Sequence, residues 1–204
     1  MVKVKICGIT SLEDALTAIS AGADALGFVF HTESPRHIFP EQAAAIIKQL
    51  PPFIQAVGLF VNESRDTVNS TADLCGLDIV QLHGDETPNF CDSINRRIIK
   101  AFRIKDFFSL DAVNDYCVAA CLLDAWSPAA HGGTGQTFNW EIASAAAAQK
   151  PIILAGGLTP GNVAEAVRQV KPYAVDVSSG VESSPGHKDS EKVRNFIFQA
   201  RHPS

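Results

Sequence analysis

The chain is short of several things, and each shortage removes a class of protein. Among 204 residues there are five cysteines, Cys7, Cys75, Cys91, Cys117 and Cys121, odd in number and widely scattered. That usage suits a reducing compartment, with the cytoplasm as the expected location, better than a disulfide framework. Cys117 and Cys121 stand four apart, but no second pair or nearby histidine completes a zinc set. The longest apolar stretches, such as 25–30, fall far short of the roughly 18–20 residues that cross a bilayer. No long apolar region follows the charges of Met1–Cys7, so no secretory signal is expected. Basic residues are the minority, 17 against 22 acidic, for a net charge of −5. With no block of lysine or arginine, neither nucleic acid nor an anionic membrane is an expected partner. Glycine and proline, at 14 and 11, are too few for a low-complexity chain. What is left is an ordinary globular balance, 46% apolar and 19% charged, in a chain long enough to bury a large core unaided.

Along the chain, apolar runs of strand length alternate with stretches of helical periodicity. Lys3–Cys7 reads as a strand and Ser11–Gly22 as the helix after it. Ser11 takes the N-cap, Asp14 sits at the third helical position near the positive helix end, and Gly22 takes the C-cap. Further strands are expected over Ala25–Phe30, Ile54–Val61, Ile79–His83, Ile98–Phe102, Ala119–Asp124, Ile152–Ala155 and Ala174–Ser178. Helices are expected after them over Pro40–Leu50, Ser64–Gly76, Pro88–Asn95, weakly over Leu110–Tyr116, then Trp140–Gln149, Gly161–Val170 and Ser190–Gln199. Eight strand–helix units result, at a mean spacing of about 24 residues. Several strands are apolar at consecutive positions, as parallel strands covered on both faces are. The pattern predicts an α/β protein, a single-domain (β/α)8 TIM barrel over residues 1–204, with an open doubly wound sheet as the competing arrangement.

The chemically unusual residues fall at one end of these strands, the end where such barrels carry their active sites. Cys7 closes the first strand, Gln81 and His83 the fourth, Asp124 the sixth, Gly156-Gly157 the seventh, and Asp176-Val-Ser178-Ser179-Gly180 the eighth. Glycine clusters after three adjacent strands, including Gly132-Gly-Thr-Gly135, point to a phosphate held by backbone N–H groups rather than to tight turns alone. The stretch 126–138 that carries the last of these could also close as a lid. Cys7 is either a small buried hydrophobe or, as thiolate, a base or nucleophile, and its strand-end position favours the second reading. Asp124 ends an apolar run, where a carboxylate must be bonded or functional; a catalytic role is favoured over a structural one. Asp176 is open to a supporting role or to contact with a substrate hydroxyl. Arg36, in the loop after the second strand, suits a carboxylate or phosphate. His83 reads as structural or substrate-shaping rather than as a metal ligand. His31, His37, His187 and His202 are expected at the surface, and the other four cysteines on helices or in mid-strand with structural roles.

These residues also form a recognisable set. Lys5-Ile-Cys-Gly-Ile-Thr10, Gly27-Phe-Val-Phe30 with Ser34-Pro-Arg36, and Val80-Gln-Leu-His-Gly-Asp85 resemble the phosphoribosylanthranilate isomerase family of tryptophan biosynthesis. So do Leu123-Asp124, Gly132-Gly-Thr-Gly135, Ala155-Gly-Gly-Leu-Thr-Pro160 with Asn162, Val175-Asp-Val-Ser-Ser-Gly-Val-Glu182, and Lys188-Asp189, so the likeness spans the chain. Asn139 departs from the Asp that often precedes Trp140 in that family, but both residues cap helices. The resemblance implies a (β/α)8 barrel and an Amadori rearrangement of an aminoaldose to an aminoketose on a phosphosugar. It implies Asp124 as general acid and Cys7 thiolate as base, both with perturbed pKa values. Arg36 would hold the anthranilate carboxylate, with Gln81, His83 and Asp176 also at the substrate. Gly133, Gly156, Gly157, Ser178, Ser179 and Gly180 would hold the phosphate. No metal or organic cofactor is implied, and the protein is expected as a monomer or homodimer. Two rival readings compete with this one: another phosphosugar barrel, such as a metal-dependent epimerase or an indole-glycerol-phosphate synthase, and a non-catalytic phosphate-binding scaffold.

Overall fold

The computed structural model describes residues 1–104, 111–125, 140–147 and 150–203. Its strands are β1 (Lys3–Cys7), β2 (Ala25–Val29), β3 (Gln55–Phe60), β4 (Ile79–Leu82), β5 (Arg97–Ile104), β6 (Ala120–Ala125), β7 (Ile152–Ala155) and β8 (Ala174–Val177). They pair in chain order, and β8 returns to β1 with Val4 opposite Val175 and Lys5 opposite Asp176. That last parallel ladder closes the barrel and disposes of the open-sheet alternative. The helices are α1 (Leu12–Ala21), α2 (Pro40–Ile47), α3 (Arg65–Cys75), α4 (Pro88–Asp92), α5 (Asp111–Asn114), α6 (Trp140–Ala147), α7 (Val163–Val170) and α8 (Ser190–Arg201).

Local chemistry explains most boundaries. Ser11 Oγ accepts from the Asp14 N–H at 3.1 Å, and Gly22 ends α1 in the left-handed region at φ 103°. Ser64 and Gly76 frame α3 in the same way. α7 starts two residues later than the expected 161 because Asn162 is used elsewhere. Its Oδ1 accepts from Thr159 N–H at 2.8 Å and its Nδ2 donates to Gly157 O at 3.0 Å, bracing the loop after β7. Between β8 and α8 the chain adds elements that the strand–helix pattern does not predict. They are a single 3₁₀ turn (Ser179–Val181) and an antiparallel hairpin, β9 (Glu182–Ser184) with β10 (His187–Lys188).

Two apolar clusters divide the interior. The larger includes Val4, Ile6, Leu26, Phe28, Val80, Leu82 and Leu123 with the inner faces of the helices. The smaller consists of strand residues, among them Val57, Ile99, Ala101, Ala120, Leu122, Ile153, Ala155 and Ala174. Successive side chains on a strand point to opposite faces, so the second cluster marks the inward parity of the barrel. Extending that parity toward the strand ends places Gln81 and His83, Asp124, Asp176 and Ser178 on the inner face, by two-residue steps from Ile79, Leu122 and Ala174.

Candidate active site

The inward residues open into a cavity of about 490 Å³ at the C-terminal end of the barrel. Cys7, Arg36, Gln81, His83, Asp124, Gly156, Gly157, Asp176, Ser178, Ser179 and Gly180 all line it. Every described member of the candidate set therefore meets in one place. Gly133 and Asn139, with the possible lid of 126–138, lie outside the described residues.

At the floor, Lys5 and Asp176 face each other across the closing ladder. Lys5 Nζ donates to Asp176 Oδ1 at 2.9 Å, and both side chains are less than a tenth exposed. A buried ammonium needs such a partner. Burial works against the charged Lys5, but the Asp176 carboxylate and the Cys7 sulfur outweigh it and raise its pKa. Gly27 makes room for this group: a Cβ there would stand 2.7 Å from Cys7 Sγ and 3.0 Å from Lys5 Nζ. Cys7 itself is buried, and burial pushes its thiol above the ordinary value. Lys5 and Lys188 pull it back down, while Asp176 pushes it further up. In the free protein the desolvation of a small anion here exceeds the help of the two cations.

On the far side of the closing ladder, across β7 and β8, Asp124 Oδ2 lies 3.3 Å from His83 Nε2. His83 Nδ1 is in turn 3.3 Å from Gln81 Nε2. With the Gln81 amide donating to Nδ1, the remaining ring N–H is at Nε2, directed at Asp124. Gln81 Oε1 and Ser178 Oγ are buried without a protein partner among the described residues, and the cavity is where a substrate can complete them.

Between β6 and β1 run the glycine loops. Gly156 and Gly157 both take positive φ, 83° and 64°. Gly180 is packed so closely on the loop after β7 that a Cβ would lie 1.9 Å from Leu158 O. The Ser179–Val181 turn sets the Ser179 and Gly180 N–H groups at a helix start, where such donors lack carbonyl partners. Arg36 is less free than its loop position suggests. Its Nε and Nη2 donate to Glu182 Oε1 and Oε2 at 2.8 and 2.7 Å.

Several sequence expectations change. His31 and His37 are half-buried rather than at the surface, and His31 lines the cavity. Cys117 is in an exposed loop before β6, not on a helix or in mid-strand. Glu182 and Lys188 were not foreseen as parts of the site, nor was the ion pair between Lys5 and Asp176. The run Ser183-Ser-Pro-Gly-His187 is a turn signal that could have revealed the hairpin carrying the first two. Among the described residues no three His, Cys, Asp or Glu side chains are grouped to hold a metal ion, and no helix is long and apolar enough to cross a membrane.

Comparison with known proteins bears directly on this arrangement. The family model for N-(5'phosphoribosyl)anthranilate (PRA) isomerase matches residues 4–199. An N-(5'-phosphoribosyl)anthranilate isomerase of Geobacter sulfurreducens is 70% identical over 201 residues, 98% of this chain and 99% of that protein. The crystal structure of phosphoribosyl anthranilate isomerase from Thermotoga maritima superposes with a TM-score of 0.92 at 43% identity, covering 98% and 99% of the two chains. A second such isomerase, solved in complex with reduced 1-(o-carboxyphenylamino)-1-deoxyribulose 5-phosphate, gives 0.88 at 42% identity over 98% and 99%. A barrel of this closure, with this cavity and this extent of likeness, places the chain in the N-(5'-phosphoribosyl)anthranilate isomerase family.

Proposed function

We propose that Asp124 and Cys7 divide the acid and base work of this enzyme between them. The reaction is the Amadori isomerisation of N-(5'-phosphoribosyl)anthranilate to the carboxyphenylamino-deoxyribulose phosphate, a step of tryptophan biosynthesis. In our reading Asp124 gives a proton to the furanose ring oxygen while the anthranilate nitrogen lone pair forms a C1'=N bond and the C1'–O bond breaks. The product is an open-chain iminium with a free hydroxyl. Cys7 Sγ then takes the C2' proton; the C–H electrons form C1'=C2' and the iminium electrons return to nitrogen. The resulting enolamine loses its enol proton and gains one at C1', leaving the ketone at C2'. C1' is reduced and C2' oxidised within one molecule, so the balance closes without an external oxidant, metal or cofactor.

The observation that carries this reading is the shared cavity, with a thiol from β1 and a carboxyl from β6 flanking the loops after β7 and β8. A substrate whose phosphate binds those loops has one reacting group on either side of its sugar. The raised Cys7 pKa fits the order of steps, because the positive iminium formed first favours the thiolate that acts second. Arg36 holds the anthranilate carboxylate, Gln81, His83 and Asp176 surround the sugar, and Gly156, Gly157, Ser178, Ser179 and Gly180 hold the phosphate. The enzyme works in the cytoplasm as a monomer or homodimer.

The test is a fluorescence assay on freshly generated phosphoribosylanthranilate, run with and without EDTA. Rapid loss of the anthranilate-type signal, unchanged by the chelator, is the expected result. Strong inhibition by EDTA would favour a metal-dependent phosphosugar enzyme, and a folded protein with no turnover would leave only a phosphate-binding barrel.

Gly180 gives a second test. Its missing Cβ is what allows the turn after β8 to approach Leu158, so Gly180→Ala must push the two loops apart. Losing one or two backbone bonds to a charged phosphate raises KM by about tenfold to a hundredfold, with kcat little changed. Steady-state kinetics beside a thermal melt would check this; unchanged KM in a folded variant would take Gly180 out of the phosphate site.

A further inference from the structure

The hairpin after β8 carries two buried charged side chains that the chemistry above does not use, Glu182 and Lys188. Glu182 grips Arg36 in a bidentate fork, and its Oε1 also accepts from Lys188 Nζ at 2.8 Å. The Lys188 side chain has no exposed surface. The hairpin turn is itself fastened to the first βα loop, where Thr10 Oγ1 donates to Gly186 O at 2.6 Å. Burial would push the Glu182 carboxyl up, but the two cations hold it below its ordinary value. The geometry is that of an ion-paired trio, and two cations against one carboxylate leave one positive charge over. Among the described residues no other carboxylate bonds to Arg36 or to the Lys188 ammonium.

The surplus charge matters for Arg36, which lines the cavity. A lone glutamate would fix the guanidinium and also cancel its charge. Lys188 supplies the second cation, so Glu182 can hold the arginine without spending the charge a substrate anion needs. Glu182 takes the Nε–Nη2 edge, and the Nη1 side has no protein partner among the described residues. We infer that Glu182 is a positioning residue: by clamping one edge of Arg36 against the hairpin, it fixes the other edge for the substrate's aryl carboxylate and so sets the preference for carboxylate-bearing substrates. The inference rests on the reading that Arg36 holds that carboxylate. A free arginine has many rotamers to lose on binding, and a clamped one has lost them in advance.

The test compares phosphoribosylanthranilate with the phosphoribosyl adduct of aniline, which lacks only the carboxylate. Glu182→Gln is expected to raise KM for the first by about tenfold or more while leaving kcat within a few fold. KM for the aniline adduct should stay put, so the preference falls by the same factor. Arg36→Met should abolish the preference, and adding Glu182→Gln to it should cost nothing further. Equal losses on both substrates, or losses that multiply in the double variant, would overturn the positioning role. Loss of preference in Arg36→Met with full preference in Glu182→Gln would overturn it alone, leaving the reading of Arg36 intact. Full preference in Arg36→Met would remove that premise and the proposal with it. Where Gln disturbs folding, Glu182→Asp keeps the charge but shortens the reach, and a partial loss of preference is expected; undiminished preference there counts against the proposal.

Discussion

Asn in place of Asp124 is expected to slow turnover by about 10²–10⁴-fold, the usual worth of a positioned general acid, while leaving KM within a few fold. The substitution is nearly isosteric, and an amide oxygen can still accept from His83 Nε2, the contact seen at 3.3 Å. In the proposed role, what disappears is the acidic proton. Without it the ring oxygen must leave as an alkoxide or find a proton in solvent, and ring opening becomes the slow step. That shift has its own signature. Deuterium at C2' slows only the later C–H cleavage, so its effect on kcat should shrink toward none in Asp124→Asn. A folded Asp124→Asn enzyme turning over within fivefold of wild type would remove Asp124 from the acid role.

How much of the molecule is legible in its sequence depends on the physics of each element. The barrel was readable because parallel strands buried on both faces leave consecutive apolar residues, and because caps such as Ser11 with Gly22 and Ser64 with Gly76 bracket helices by local bonding alone. Closure was not local. It depends on β8 finding β1 across 171 residues, as Lys5 finds Asp176. The polar strand ends were readable because a carboxylate such as Asp124 after an apolar run must be bonded or functional. Their surroundings were not. Arg36 reads as a group for a substrate anion, but nothing local shows that the hairpin brings Glu182 to it from 146 positions away or that the Lys188 side chain is wholly enclosed. The direction of the Cys7 shift was hidden for the same reason. It is set by a balance of burial, Lys5, Asp176 and Lys188 that only three-dimensional proximity defines.

Cys7→Ser carries the complementary expectation. A serine hydroxyl fits the space beside Gly27 but is a far weaker acid than a thiol, so the population of competent base collapses and turnover falls by about 10²–10⁴-fold. Here C–H cleavage becomes slow, and the C2' deuterium effect should be fully expressed, opposite to its fate in Asp124→Asn. The two variants thus separate the two steps with one isotope. The pH profile gives a further sign. In the proposed assignment only the thiolate takes the C2' proton, and burial holds the free-enzyme thiol above its ordinary pKa. The thiolate fraction, read as the rate of iodoacetamide alkylation at Cys7, should therefore keep rising with pH through neutrality toward the alkaline side. A rate that levels off below the ordinary thiol range would mean that Lys5 and Lys188 overcome desolvation before any substrate binds.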